Sequence, residues 1–204
     1  MTARAITALA LYVVWFALAF GLATLRQYRR TGDTGLRIGP RFAAGWQRAA
    51  TLLMAAALLT GLAAPVASLL GMPTIPPLDG TAAAAVGIAL MVTGIAATVL
   101  AQTSMGTSWR IGVDPGESPP LVTGGAFRVA RNPIFTAMMV TAAGIALTVP
   151  NAIAVGGLIA AIIAIELQVR LVEEPYLRRQ HGQAYAAYEQ RVGRFLPGIG
   201  RRTA

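Results

Sequence analysis

Five long apolar runs, separated by segments that hold nearly all of the charge, make up the pattern of this chain. The first goes from about Ile6 to Leu25 and the second from about Ala49 to Leu70, ending at Gly71-Met72-Pro73. The third goes from Thr81 to about Thr103, after a short connection, Thr74 to Gly80, that contains Pro76 and Pro77. A helix needs roughly 20 mostly apolar residues to cross about 30 Å of hydrocarbon, and these runs approach that length. A polar stretch, Ser104 to Arg131, follows, with glycine and proline punctuation that forbids one continuous helix. Then come Pro133 to Thr148 and Asn151 to Val172, divided by Val149-Pro150-Asn151, a tight-turn sequence that predicts a helical hairpin. The last thirty or so residues are polar again, with a helical stretch from about Pro175 to Val192. The expected fold is all-α. It is a polytopic membrane protein of about five transmembrane helices, the last two a hairpin, followed by a cytoplasmic helix. Residues 1–103 form the N-terminal three-helix part, and residues 104–204 the cytoplasmic loop, hairpin and C-terminal helix. The first run is too long, and lacks the small-residue cleavage site, for an ordinary cleaved signal peptide.

Composition agrees with lipid as the solvent. Of 204 residues, 55% are hydrophobic and 12% charged, against about 25% charged in a typical soluble domain. Cysteine is absent and His181 is the one histidine. That excludes a disulfide framework or thiolate site, and no metal centre is expected. All 17 basic residues are arginine, which points to a GC-rich bacterial genome rather than to chemistry. They are not gathered into one basic domain, so no nucleic acid partner is expected. Arg26, Arg29, Arg30, Arg37, Arg41 and Arg48 follow the first run, Arg110, Arg128 and Arg131 follow the third, and seven more lie from Arg170 to Arg202. The opposite side has only Arg4. The positive-inside rule then places the N-terminus outside and the C-terminus in the cytoplasm of a bacterial inner membrane, with arginines against anionic headgroups.

Charge inside a membrane is costly and calls for a reason. Glu166, Arg170, Glu173 and Glu174 are spaced by three and four, which puts them along one face of a regular helix. Either the helix end snorkels to the headgroups, with Arg170 paired to its carboxylates, or the group does chemistry; spacing alone leaves both open. In Gly124-Gly125-Ala126-Phe127-Arg128-Val129-Ala130-Arg131-Asn132-Pro133, paired glycines permit close backbone approach before a proline-opened helix. That suits a cofactor cradle and equally an ordinary loop. His181 reads as a solvated residue of a polar turn. Gly87, Gly94, Gly144 and Gly156 read as close helix packing.

The stretch from Leu121 to Pro197 resembles the isoprenylcysteine carboxyl methyltransferase family and its phospholipid methyltransferase relatives. The resemblance rests on Leu121-Val122, Gly125, Phe127, Arg131-Asn132-Pro133, Phe135, Glu173-Glu174, Leu177, Gly182, Tyr185, Tyr188, Arg194-Phe195 and Pro197, with the hairpin between its parts. It implies S-adenosylmethionine held on the cytoplasmic side by Pro120, Leu121, Val122, Gly125, Phe127, Asn132, Pro133, Ile134, Phe135, Glu173, Glu174 and Tyr185. A lipophilic small-molecule or lipid acceptor would enter from the bilayer. Asn132 stands where the family has histidine, and Phe127 and Phe135 where it has tyrosine. Val169 stands where the isoprenylcysteine enzymes carry an arginine for a substrate carboxylate; Arg170 follows it, rotated by about 100° on a regular helix.

The resulting expectation is methyl transfer to a lipophilic acceptor. Arg170, Arg131 or Arg128 orients an anionic acceptor group, and Glu166 acts as a base for a protonated one. The alternatives are an NADPH-dependent reductase with a sterol-reductase-like fold, or a non-enzymatic membrane protein.

Overall fold

The computed structural model describes residues 1–37, 45–114 and 116–202, among which there is one isolated bridge, Leu36 to Ile111, and no strand. Arg41 lies outside the described residues. Helices α1 (Thr2–Phe16) and α2 (Ala23–Thr31) form one rod through a π-helical segment, Ala17–Leu22. Next come α3 (Trp46–Leu69), α4 (Thr81–Met105), α5 (Pro133–Thr148), α6 (Ala152–Leu167) and α7 (Glu174–Arg191). A second π-helical segment, Gln168–Glu173, joins α6 to α7. Thr2–Thr31, Arg48–Leu69, Thr81–Ser108 and Ala152–Arg191 are long and apolar enough to cross a membrane. The last, at 40 residues, would be about 60 Å long if straight, so its second half projects beyond the hydrocarbon. The apolar α5 has 16 residues, about 24 Å, a short fit to the bilayer. It still fills the fifth place, packed along α4 and turned back into α6.

Small residues bring α4 and α5 together. A Cβ on Gly87 would sit 2.7 Å from the Gly144 carbonyl oxygen, and one on Gly144 would sit 2.6 Å from that of Gly87. The two backbones therefore touch, which is how helices gain packing energy where lipid is as apolar as leucine. Gly94 meets Ala137 and Thr141 in the same seam. Gly156 does not belong to this class: it faces open space, and Gly157 is the residue that meets Thr60 of α3. Adjacent glycines on a helix point about 100° apart, so sequence alone could not choose between them. Polar groups inside the bundle find partners, as a lipid environment requires. Thr98, Thr141 and Thr148 donate to carbonyls of their own helices. Trp15 Nε1 donates to Thr98 Oγ1 at 3.1 Å, and Gln102 Nε2 reaches the Ala19 carbonyl inside the first π segment.

The two ends of the bundle differ. At one end Asn151 caps α6 and also donates to Ala64 O and Ser68 Oγ of α3, both at 2.8 Å, while Arg4 pairs with Asp79. At the other, segments distant in sequence are laced together. Gln27 donates to the Thr107 carbonyl, Arg37 and Arg110 hold Glu117, and Tyr176 donates to the Glu117 carbonyl. Beside Arg37, which donates to it together with the Gly35 N–H, Asp33 is held down at about 2. Beneath lies a buried ion cluster. The Arg131 side chain, 1% exposed, pairs with Glu189 at 2.7 Å and Glu174 at 3.2 Å. Arg178 joins both carboxylates, Arg194 holds Glu174 at 2.7 Å, and Arg202 approaches Glu189.

Two stability differences follow. Gly144→Val forces α4 and α5 apart and lowers stability in detergent by about 1–3 kcal/mol; Gly156→Val, facing open space, stays within about 0.5 kcal/mol. Glu189→Gln leaves Arg131 with a weakened partner in a dry site and costs about 3–5 kcal/mol, whereas Glu166→Gln, in an exposed pair, costs about 1 kcal/mol or less. Thermal unfolding of the four purified variants checks both contrasts.

Candidate active site

At the arginine-rich end, the chain leaving α4 folds back on itself. Gly125, at φ 57°, sits so close to Ser104 that a Cβ there would lie 2.5 Å from the hydroxyl oxygen. The Ala126 N–H donates to that same oxygen at 3.3 Å. The glycine pair thus serves a close approach, with Ser104 as the neighbour of Gly125, while Gly124 is open. A 3-10 turn, Gly125–Arg128, then places Phe127 inside a small core with Tyr185 and Tyr188. Leu121, Val122, Leu177 and Met105 pack around it, and Tyr188 Oη donates to the Phe127 carbonyl at 2.6 Å. Residues 121–127 and 177–188, on either side of the hairpin, are therefore one structural unit.

The tail is stitched to the start of α5. The N–H groups of Arg131 and Asn132 donate to the carbonyls of Gly193 and Arg194 at 2.8 and 3.0 Å. The Asn132 side chain adds Nδ2 to Arg194 O at 3.1 Å, and Thr136 Oγ1 donates to Phe195 O. Pro133 opens α5, where a missing N–H costs nothing. Ile134 and Phe135 are half-buried on the first turn, and Pro120 is exposed. The Arg194 guanidinium is pushed above its ordinary range by its hydrogen bond to Glu174.

The acidic residues at the end of α6 do not share one environment. The π segment breaks the 3.6-residue register on which a common face depends. Val169 and Val172 turn inward, while Arg170 is 54% exposed and pairs with Glu166. Glu174 points into the buried cluster. Glu173 stands apart: it has no arginine partner among the described residues, and Gln168 Nε2 at 3.5 Å is its one hydrogen bond. Arg131, expected near substrate, is instead enclosed by Glu174 and Glu189, with its Nε unpartnered. His181 is half-buried rather than solvated, and its Nε2 also lacks a partner.

Glu189 and Arg178 complete this end without having been singled out in the sequence. A signal was there: Glu189 is the lone acid between Pro175 and the end of a tail full of arginines, directly after Tyr188. Chemically, the end offers Glu173 at the helix junction without an arginine partner among the described residues, two carboxylates neutralised in the interior, and arginines at the rim.

Known proteins bear on this architecture. No curated protein matches the chain. A solved structure of the eukaryotic intramembrane Ras methyltransferase ICMT (isoprenylcysteine carboxyl methyltransferase) superposes with a TM-score of 0.64 at 16% identity, over 97% of this chain and 70% of that one. At that identity the likeness is one of fold. The phospholipid methyltransferase family profile matches residues 82–184, 103 of the 204 positions, and does not favour the reductase reading. The matched stretch runs from α4 into α7, past Gly182 with its non-helical backbone, and supplies part of the laced end, whose Gln27, Arg37, Glu189 and Arg194 lie outside it. On that match the chain belongs to the phospholipid methyltransferase family and is an integral membrane methyltransferase.

Proposed function

We propose that this protein transfers a methyl group from S-adenosylmethionine to a lipophilic acceptor at the cytoplasmic leaflet of a bacterial inner membrane. The observation that carries the proposal is Glu173. Around it every other carboxylate of the α6–α7 region is held by arginine, yet this one is left free at the junction of membrane helix and polar end. S-adenosylmethionine supplies a methyl group on a sulfonium, which leaves by in-line displacement. An uncommitted carboxylate is the group that a sulfonium or ammonium cation needs nearby. Two buried nitrogens without partners, Arg131 Nε and His181 Nε2, fit a ligand that brings acceptors of its own.

The residues divide the work by position. For the cofactor the resemblance supplies Pro120, Leu121, Val122, Gly125, Phe127, Asn132 to Phe135, Glu173, Glu174 and Tyr185; of these, Glu173 is the uncommitted charge, while Glu174 and Tyr185 are packed in the interior and support the site from behind. Arg131 acts as a positioning residue, because its charge is used to fix Glu174 and Glu189. Glu166 and Arg170, paired and exposed at the membrane boundary, meet the acceptor: Glu166 takes a proton from an acceptor that arrives protonated, and Arg170 orients it. Bringing a water-soluble donor and a lipid-soluble acceptor to one site from two phases accounts for much of the rate. The segregation of arginines at the laced end supports an N-terminus outside and a cytoplasmic C-terminus.

Calorimetric titration of detergent-purified protein with S-adenosylhomocysteine checks the cofactor. The wild type binds, and Glu173→Gln binds at least about tenfold more weakly, the size of one charge-assisted contact, with unfolding temperature little changed. Equal affinity of wild type and variant would remove Glu173 from the cofactor site.

A further inference from the structure

Two segments without a part in the chemistry so far meet at the laced end. One is the loop that leaves α2, from Asp33 to Arg37, which lies outside the stretch matched by the family profile. The other follows α4 and carries Trp109 to Gly112 and then Glu117. They pair backbone to backbone: the Ile111 N–H donates to the Gly35 carbonyl at 2.9 Å, and the Arg37 N–H donates to the Ile111 carbonyl at 2.8 Å. Glycine allows the approach from both sides. A Cβ on Gly35 would sit 2.9 Å from the Trp109 carbonyl oxygen, and one on Gly112 would sit 2.5 Å from that of Arg37. Side chains complete the seam. Arg37 reaches from Asp33 to Glu117, the latter at 2.7 Å, and Arg110 holds the other oxygen of Glu117.

Glu117 is where this seam meets the candidate site. Its carbonyl accepts from Tyr176 Oη, three residues along the chain from Glu173. Three residues after Glu117 the chain enters Pro120-Leu121-Val122. One residue therefore ties together the two parts of the chain assigned to the methyl donor. The tie is of a kind that opens easily. Gly35 and Trp109 are buried in it, but Asp33, Thr34 and Leu36 are exposed, and what holds it is hydrogen bonds and ion pairs within reach of water. Segments with few buried apolar contacts and exposed hydrogen bonds open at small cost in free energy. The base of the second segment is fixed separately, by Gln27 of α2 donating to the Thr107 carbonyl at 2.8 Å. We propose that residues 33–37 are a strap that holds the segment carrying Ile111 and Glu117 closed over the donor site, and that lifts for the donor to enter and the spent donor to leave. This rests on the reading of Glu173 and Pro120 to Val122 as donor residues. Arg37 is then a positioning residue: it acts through Glu117 and does not touch the donor.

The test loads detergent-purified protein with labelled S-adenosylhomocysteine and follows its release into an excess of unlabelled ligand. Arg37→Gln is expected to speed release about fivefold or more, with unfolding temperature little changed. Arg4→Gln, which breaks a partly exposed ion pair at the opposite end, releases as the wild type does. The chain has no cysteine, so the double variant Leu36→Cys/Ile111→Cys can lock the strap without side reactions. Those two residues form the isolated bridge, and neighbouring strands lie about 4.8 Å apart, within reach of a disulfide. The oxidised double variant is expected to release ligand at least about tenfold more slowly than the wild type, and reduction restores the rate. Release from Arg37→Gln at the wild-type rate, or from the oxidised double variant as fast as from its reduced form, would overturn the strap while leaving the donor site standing. A wild type that binds no S-adenosylhomocysteine overturns the donor reading, and the strap with it.

Discussion

The architecture turns on a buried ion cluster. Arg131 ends the polar segment, Glu174 begins α7 and Glu189 lies near its end, so their contacts tie the polar segment to both ends of α7. Buried charges are expensive to desolvate, and this arrangement survives because each carboxylate meets several guanidinium groups at hydrogen-bonding distance. Without it, nothing comparable would hold the long helix that continues α6 against the loop that leaves α4. The aromatic group of Phe127, Tyr185 and Tyr188 closes the same junction with apolar contact and one hydrogen bond.

That cluster also sorts the charged groups by role. Carboxylates inside it are neutralised and structural. Glu166 with Arg170 is an exposed pair, and Glu173 is left without a cation because the π segment turns it away from both. A regular helix would have lined all of these up. The extra residue in the turn separates a structural glutamate from its immediate neighbour, and π segments of this kind are frequent at functional positions.

Much of this was legible in the sequence, for physical reasons. Lipid demands long apolar runs, so the five runs and the Val149–Asn151 turn could be located, and α5 from Pro133 to Thr148 matches in full, while the first and last helices extend well beyond their apolar runs, to Thr2–Thr31 and Ala152–Arg191. The resemblance named Leu121, Val122, Phe127, Tyr185 and Tyr188 together, and the fold packs them into one cluster. What was not readable depends on register and on pairing across the chain. The two π segments leave no mark in hydrophobic periodicity, so the shared face of Glu166, Arg170, Glu173 and Glu174 was an artefact of assuming a straight helix. Gly156 was taken for its neighbour Gly157 because adjacent glycines on a helix point about 100° apart and their sequence does not choose between them. Arg131 was read as a candidate to orient an anionic acceptor because sequence does not say which of many arginines finds a carboxylate, and Glu189 drew no notice until the fold brought it there.

Transfer of a methyl group to a lipophilic acceptor is tested most directly by product formation. Purified protein reconstituted into phospholipid vesicles is incubated with S-adenosylmethionine labelled in the methyl group, and the lipids are extracted into organic solvent. The account predicts label in the organic phase that depends on protein and is strongly reduced by Glu173→Gln. Protein that binds S-adenosylhomocysteine yet leaves all label in the aqueous phase, across vesicles of varied headgroup composition, would contradict it.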